Sequence, residues 1–422
     1  HGSIVHYSTK FWGGFELFQF YFPLPYLVGV FLSFILPWQI AYKLVTVFGV
    51  VALPPAFYWM CRGFGWSRAT GFFGSLLSLG FLFTEAHKMW GGNMSSNLAG
   101  MFGNAWGFVF VLFALGAIAE AWRENVFSKR VVVWSLLAMT SHFYMLFLLL
   151  LFYGALFLVD LVRTVSGKTA ADKAVLRAAF RAAGLGYFRF YLHLLLTLGL
   201  MSWWLLPLVY YREFSANFGV NWPIKLLETY TETERNAFAI SFVVLTGVAF
   251  WRRKSAPILS ALVLLVLVLA GAFTFNRFVP DTAFINVRLW PLLYFVVYLT
   301  TIAAWESCFG KRQPGVQLAG LLFLLPFVPS ESSLTAAHEW MRWNYRGVEV
   351  TPAYAEFRQV VDSLNAQPAG RVTFESSPKN NWILGSVRVF EMLPLLTHHE
   401  IVEGGLVNSA PYAGVPYSLQ CL

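Results

Sequence analysis

The stretch VVVWSLLAMTSHFYMLFLLLLFYGALFLVDLV, residues 131–162, decides the fold, because it is almost wholly apolar and lies between Arg130 and Arg163. As one helix it would be about 48 Å long, whereas the hydrocarbon core of a bilayer is about 30 Å thick. A single crossing would also leave its two basic ends on opposite sides of the membrane. We therefore predict two helices that turn near His142.

The composition of the whole chain indicates a membrane protein. Of its 422 residues, 58% are hydrophobic and 12% are charged, against about 45–50% and about 25% in soluble domains. The three cysteines are too few and too widely spaced for a disulfide framework or a zinc site. The net charge of +9 is distributed over short loops rather than one face, so we expect the lipid bilayer, and no nucleic acid, as a partner.

Spanning helices need about 20 mainly apolar residues. The candidates are 43–60, 70–87, 103–121, 131–142, 144–162, 188–210, 237–251, 256–275, 288–309 and 315–330. We thus predict an all-α polytopic bundle of about ten spanning helices.

Basic residues between these segments predict which loops share a side. Five clusters hold 16 of the 30 lysines and arginines: Arg62 and Arg68; Arg123, Lys129 and Arg130; Arg163, Lys168, Lys173, Arg177, Arg181 and Arg189; Arg252, Arg253 and Lys254; Lys311 and Arg312. The positive-inside rule assigns all five to the cytoplasm.

The same rule makes residues 1–42 an outer loop. Its apolar segment 22–40 contains Pro23, Pro25 and Pro37, and proline inside a helix costs about 3 kcal/mol. We interpret the segment as re-entrant or interfacial. A plain crossing with inverted local topology is the alternative.

The three predicted parts are the outer loop 1–42, the bundle 43–330 and a small extracytoplasmic α/β domain, 331–422. In the last part Thr351 and Pro352 predict a helix start, and residues 371–375 alternate like a strand. The apolar face of that predicted helix consists of Tyr354, Phe357, Val361 and Leu364. We expect the chain to continue beyond both of its ends.

Polar and ionisable residues gather at helix ends on the predicted outer face. They are Glu16, Gln19, Glu85, His87, Lys88, Asn93, Ser95, Ser96, Asn97, His142, Arg212, Glu213, Arg277 and Arg288. Such groups are costly at the membrane edge unless they line a wet cavity or pair with one another, so they indicate a functional site. Lys88, Arg212 and Arg277 are alternatively snorkelling anchors, and His142 a satisfied turn residue.

Several motifs carry a resemblance to a known family. They are the aromatic, proline-rich stretch Trp12–Tyr26, the pair Ser141–His142, the triplet Asn286–Arg288, and the segments 370–375 and 385–394. In order and topology they resemble the 6-pyruvoyl-tetrahydropterin-synthase-related bacterial membrane proteins of the GT-C glycosyltransferase superfamily.

The resemblance implies a helical bundle with interfacial helices in the first outer loop. It also implies transfer of a sugar from a polyprenyl-phosphate donor at the outer face of the bacterial plasma (inner) membrane. Glu85 and Glu16 would then be the catalytic carboxylates. Arg288, with His87, Lys88 or His142, would hold the lipid phosphate. No cofactor is indicated, and the need for a divalent metal is left open.

One departure from that superfamily leaves rival functions open. Its members usually carry an acidic residue early in the first outer loop, whereas the first aspartate here is Asp160, on the predicted inner side. Either a carboxylate lies upstream of His1, or the protein is a catalytically silent scaffold. A transporter or lipid flippase is a further alternative, although no internal repeat is visible.

Overall fold

The computed structural model describes residues 4–84, 89–166, 173–214, 238–252, 257–275, 286–375 and 377–404. The helices in these ranges are α1 Leu24–Ser33, α2 Trp38–Gly63, α3 Arg68–Leu82, α4 Met94–Leu98, α5 Phe102–Glu124, α6 Lys129–Ser141, α7 Tyr144–Ser166, α8 Lys173–Tyr210, α9 Leu245–Trp251, α10 Pro257–Phe275, α11 Asn286–Trp305, α12 Pro314–Gly320, α13 Glu331–Tyr345, α14 Tyr354–Asn365, α15 Asn380–Ile383 and α16 Leu393–Leu396. Two π-helical segments, Ala239–Val244 and Glu306–Gly310, precede α9 and follow α11.

The chain divides into two compact units. The helical unit comprises Leu24–Met201 and Gly219–Ala337, and the mixed unit comprises His1–Pro23, Ser202–Phe218 and His338–Leu422. Six described helices are long and apolar enough to cross a membrane, or seven if 314–327 and 331–345 form one bent span. The chain is therefore a helical, multi-pass membrane protein, with fewer full-length spans among its described residues than the ten predicted.

Four predicted spans fall on shorter or interrupted helices. Helix α3 has 15 residues and α6 has 13, which at 1.5 Å per residue is about 20 Å, less than the hydrocarbon thickness. The other two are 237–251, which is π-helical in its first half, and 315–330, which changes from α- to 3₁₀-helix at Leu321.

Helix α3 nevertheless runs antiparallel to α11 along most of its length. The ring of Phe73 stacks on Trp305 at 4.7 Å between centroids, and Phe81 stacks on Tyr294 at 5.5 Å. Helix α11 is the best buried span, with 89% of its apolar window inside the structure. Its two ends therefore define two ends of the helical unit, which we name the Arg288 end and the Glu306 end.

Three of the five predicted basic clusters have described members at the Glu306 end. Arg62 donates to the Trp66 carbonyl in the connection between α2 and α3. The guanidinium of Arg123 lies against Gly65 in the same connection. Arg130 pairs with Glu120 at 2.9 Å. Lys311 and Arg312 directly follow the π-helical segment after α11. Described members of three predicted clusters thus share one end of the helical unit.

Helices α2 and α5 approach closely because glycines face each other. A Cβ atom on Gly63 would lie 2.6 Å from the Gly116 Cα, and one on Gly49 would lie 2.6 Å from the Ala105 Cβ. The hydrophobic effect does not drive helices together inside lipid, so their association depends on close packing. Small residues at the contact allow the helix backbones to approach each other.

The N-terminal apolar segment is broken, as its prolines predict. Helix α1 has 10 residues, about 15 Å, and cannot cross a bilayer alone. Its inner face, which includes Tyr26, packs against Phe102 and Trp106 of α5. Phe31, Phe34 and Ile35 are each at least 77% exposed.

The mixed unit contains a hairpin, a small core and a parallel strand pair. Strands β1 His6–Ser8 and β2 Phe15–Leu17 are antiparallel, while β3 Arg371–Val372 and β4 Glu400–Ile401 are parallel. The Ile401 amide donates to the Lys10 carbonyl at 3.0 Å, so the first residues of the chain bond to its last described segment.

Helix α14 contributes buried side chains to the core of this unit, and Glu400 of β4 is held by hydrogen bonds. Phe357 and Val361 of α14 are buried in it, on the helical face that the sequence predicts. A hydrogen bond from Thr9, and another from Arg371, lower the pKa of the Glu400 carboxyl below its usual value.

Two parts of the domain description stay predictions. They are the domain limits, 1–42, 43–330 and 331–422, and the α/β character of the last part.

Glu306 joins α11 to the start of α3. Its carboxylate accepts hydrogen bonds from the Ser67 amide at 3.3 Å, the Ser67 hydroxyl at 3.1 Å and the Thr70 hydroxyl. Ser67 is the N-cap of α3, where a negative charge also interacts favourably with the helix dipole.

Replacing Glu306 should therefore destabilise the bundle. We expect Glu306→Ala to lower the free energy of unfolding by about 1–3 kcal/mol, since it leaves donors without an acceptor. Glu120→Ala is the matched control: it removes a carboxylate at the same end whose partner Arg130 is 65% exposed, and should cost less than about 1 kcal/mol. Thermal unfolding in detergent compares them. An equal loss in both variants would contradict the capping role.

Candidate functional site

Arg288 holds the loop that follows α3. It lies in the first turn of α11, and its Nη1 donates to the carbonyls of Met89 and, at 3.1 Å, Trp90. The same nitrogen contacts the sulfur of Met101. The ring of Trp90 meets Trp290 edge-on at 6.3 Å. A cation at a helix N-terminus is disfavoured by the helix dipole, so these carbonyl contacts stabilise a charge that the helix itself does not favour.

The loop itself is ordered by its own side chains. Asn93 caps the short helix α4 by accepting from the Ser96 amide at 2.9 Å, and its Nδ2 donates to the Thr84 carbonyl at 3.0 Å. The Gly91 amide donates to the Ser96 hydroxyl at 3.0 Å. These bonds use polar groups that would otherwise be buried without partners.

Positive φ angles and close contacts explain the glycines in this loop. Gly91 has φ +126° and Gly92 has φ +83°. A Cβ on Gly91 would lie 2.6 Å from the Asn104 Oδ1, and one on Gly92 would lie 2.6 Å from the Phe81 ring. Met89 adopts φ +62° without being glycine, a conformation that costs about 1–2 kcal/mol.

His142 lies at the same end of the helical unit, in the turn between α6 and α7. It is buried, with 9% of its surface exposed, and Arg288 lies within electrostatic range of it. The turn packs closely against α5 because two glycines of α5 lie at the contact. A Cβ on Gly103 would be 3.2 Å from the Ser141 carbonyl oxygen, and one on Gly107 would be 3.1 Å from the His142 Cβ.

The predicted site residues separate into three groups. Arg288 and His142 come together at the Arg288 end. Glu16 belongs to the mixed unit, where it is exposed on β2 opposite Tyr7. Glu85, His87 and Lys88 lie outside the described residues. The predicted helix 70–87 ends at Leu82, so the described chain passes from α3 into the loop earlier than hydropathy indicates.

Two features of this end were not predicted from the sequence: the burial of Asn104 and the contact of Asn97 with α2. Both are buried, with 4% and 5% of their surfaces exposed. The signal for Asn104 was an amide in the first turn of an apolar span, where polar side chains tend to be functional. Asn97 was noted only as a small polar loop residue, and nothing in the sequence indicated that it reaches α2.

The described ranges contain no group of three or more histidine, cysteine, aspartate or glutamate residues that could hold a metal ion. No family model, curated protein or solved structure matches the chain.

The packing around Gly92 is open to a matched glycine test. Gly92→Ala and Gly100→Ala both place a side chain at positive φ, but a Cβ on Gly100 has no atom within 4 Å. We expect Gly92→Ala to lower the free energy of unfolding by about 1–3 kcal/mol more than Gly100→Ala, because only the former overpacks the contact with Phe81 and Phe108. Thermal unfolding in detergent measures both. Equal losses would mean that the loop does not pack as described.

Proposed function

We propose that this protein is a GT-C-type glycosyltransferase that transfers a sugar from a polyprenyl-phosphate donor at the outer face of the bacterial plasma membrane. The observation that carries the proposal is the position of Arg288, a cation at the N-terminus of the central helix. It lies at the end of the bundle opposite the described basic clusters.

The lipid phosphate would bind at this N-terminus. Arginine recognises phosphate through its planar fork, and the first turn of α11 adds a positive dipole end and backbone N–H groups. A cation and a helix N-terminus repel each other, and an anion bound between them would interact favourably with both. His142 would add a hydrogen bond from the neighbouring turn.

The transfer step assigns one role to each group. The oxygen of the acceptor hydroxyl attacks the anomeric carbon of the donor sugar, and the bond between that carbon and the phosphate oxygen breaks. The hydroxyl proton passes to a carboxylate, for which Glu85 is the candidate that follows α3. The departing polyprenyl phosphate keeps the bonding electrons, and Arg288 stabilises its charge.

The proposed location follows from charge and parity. With Arg62, Arg123, Arg130 and Lys311 in the cytoplasm, the Arg288 end faces outward. By the same parity the segment after α12 is extracytoplasmic, where it would be positioned to bind an acceptor glycan or a partner.

A transporter is the second candidate. It is favoured by the π-helical segments Ala239–Val244 and Glu306–Gly310, because π-bulges are frequent at functional sites and interrupted helices are typical of transporters. The grouping of Arg288 and His142 at one end, rather than at mid-membrane, favours the transferase.

Transfer from defined donors tests the proposal. The purified full chain would be assayed with polyprenyl-phosphate hexoses and pentoses, comparing wild type with Arg288→Ala and Glu85→Gln. We expect Arg288→Ala to lower kcat/KM roughly 100-fold, the size of effect seen when a charge-stabilising donor is removed. Arg130→Ala, which removes an arginine at the Glu306 end, is the matched control and should retain wild-type activity.

Two results would count against this account. Equal transfer by wild type and Arg288→Ala would remove Arg288 from the mechanism. Movement of the lipid-linked sugar across proteoliposome membranes, without any transfer, would favour the transporter.

A further inference from the structure

Asn97 carries a buried amide oxygen with a fixed orientation. Its Nδ2 donates to the Thr46 carbonyl of α2 at 3.0 Å, so exchanging the amide nitrogen and oxygen would set two oxygens against each other. The Oδ1 atom is buried and has no hydrogen-bond donor among the described residues. Asn97 therefore presents an acceptor whose position is fixed by its own donor.

Asn104 presents a second buried amide oxygen. It lies in the first turn of α5, and its Oδ1 is likewise buried without a donor in the described part of the chain. This oxygen lies over Gly91, where a Cβ would approach it to 2.6 Å. Gly91 directly follows Trp90, whose carbonyl binds Arg288. The Asn104 oxygen is thus one residue along the loop from the Arg288 contact.

Two buried acceptors without donors are costly. Each unsatisfied group of this kind costs about as much as a lost hydrogen bond, and native proteins leave few of them. Because both atoms are neutral acceptors, a ligand that satisfies them must supply donors. An anionic phosphate has none to supply when fully ionised, whereas a sugar presents several hydroxyl groups.

We propose that Asn97 and Asn104 form a sugar-hydroxyl subsite, in which each amide oxygen accepts a hydrogen bond from a hydroxyl of the bound sugar. The inference rests on the proposed function and assigns different groups of the bound lipid to different residues. Arg288 binds the phosphate, and the two asparagines distinguish a sugar-bearing lipid from a bare lipid phosphate. Specificity of this kind is strong, because an analogue without the hydroxyl leaves the buried acceptor unpaired.

Equilibrium binding to the full chain in lipid nanodiscs tests the subsite without requiring turnover. The probes are a polyprenyl-phosphate hexose, the bare polyprenyl phosphate and the corresponding methyl hexoside. We expect wild type to bind the sugar-bearing lipid about tenfold more tightly than the bare lipid, and Asn97→Leu or Asn104→Leu to remove that preference. Arg288→Ala should weaken binding of both lipids.

Controls separate the subsite from a folding defect. Asn365→Leu replaces an exposed asparagine of α14 in the mixed unit and should keep the wild-type preference. A series of singly deoxygenated hexose donors probes wild-type protein directly, so the test does not depend on a variant that folds. Removal of at least one hydroxyl should weaken binding about tenfold.

The outcomes distinguish this inference from the proposed function. If the asparagine substitutions weaken binding of the methyl hexoside and not of the lipid-linked sugar, the subsite binds the acceptor, which overturns its assignment to the donor. If they weaken binding of the lipid-linked sugar alone, the assignment to the donor is supported. If wild type binds both lipids equally and every deoxygenated donor binds as well as the parent, the oxygens hold water only and the subsite is overturned, while Arg288-dependent phosphate binding still stands. If neither lipid binds, the proposed function itself fails.

Discussion

The structure depends on one constraint: the hydrocarbon interior contains no water, so polar groups must be paired within the protein or lie at its ends. Helix α11 meets this constraint at both of its termini. Arg288 in the first turn binds carbonyls of the loop after α3, and Glu306, just past the last turn, binds the cap of α3. One pair of antiparallel helices therefore carries a cation at one end and an anion at the other, with stacked aromatic rings between them.

The polar groups at the two ends of α11 differ in how completely they are paired within the protein. The carboxylate of Glu306 accepts hydrogen bonds from several donors, and Arg62 and Arg130 lie near helix ends where each has a local partner. At the Arg288 end the polar groups fit less completely. A cation adjoins a helix N-terminus, Met89 adopts positive φ without being glycine, and two amide oxygens are buried with no donor among the described residues. Departures from local stability of this kind are frequent at binding sites, and the three named here lie around the loop that follows α3.

Much of the fold could be predicted from the sequence, because bilayer thickness and loop charge act on composition alone. The turn near His142, the broken segment 22–40 and the buried face of α14 all follow from local patterns. The contacts that build the site do not. Glu306 meets Ser67, and Arg288 meets Trp90, across long stretches of chain that periodicity does not connect. Helix α3 ends at Leu82 although hydropathy continues, and the inward orientation of Asn97 depends on a carbonyl of a different helix.

The proposed function requires that the Arg288 end face outward and the Glu306 end face the cytoplasm. Labelling of intact cells with a membrane-impermeant maleimide tests it most directly, in a Cys421→Ser background whose other cysteines are buried. Met89 is 60% exposed in the loop bound by Arg288, and Lys129 begins α6 at the opposite end. We expect the Met89→Cys variant to be labelled in intact cells and the Lys129→Cys variant only after permeabilisation. The opposite pattern would contradict it.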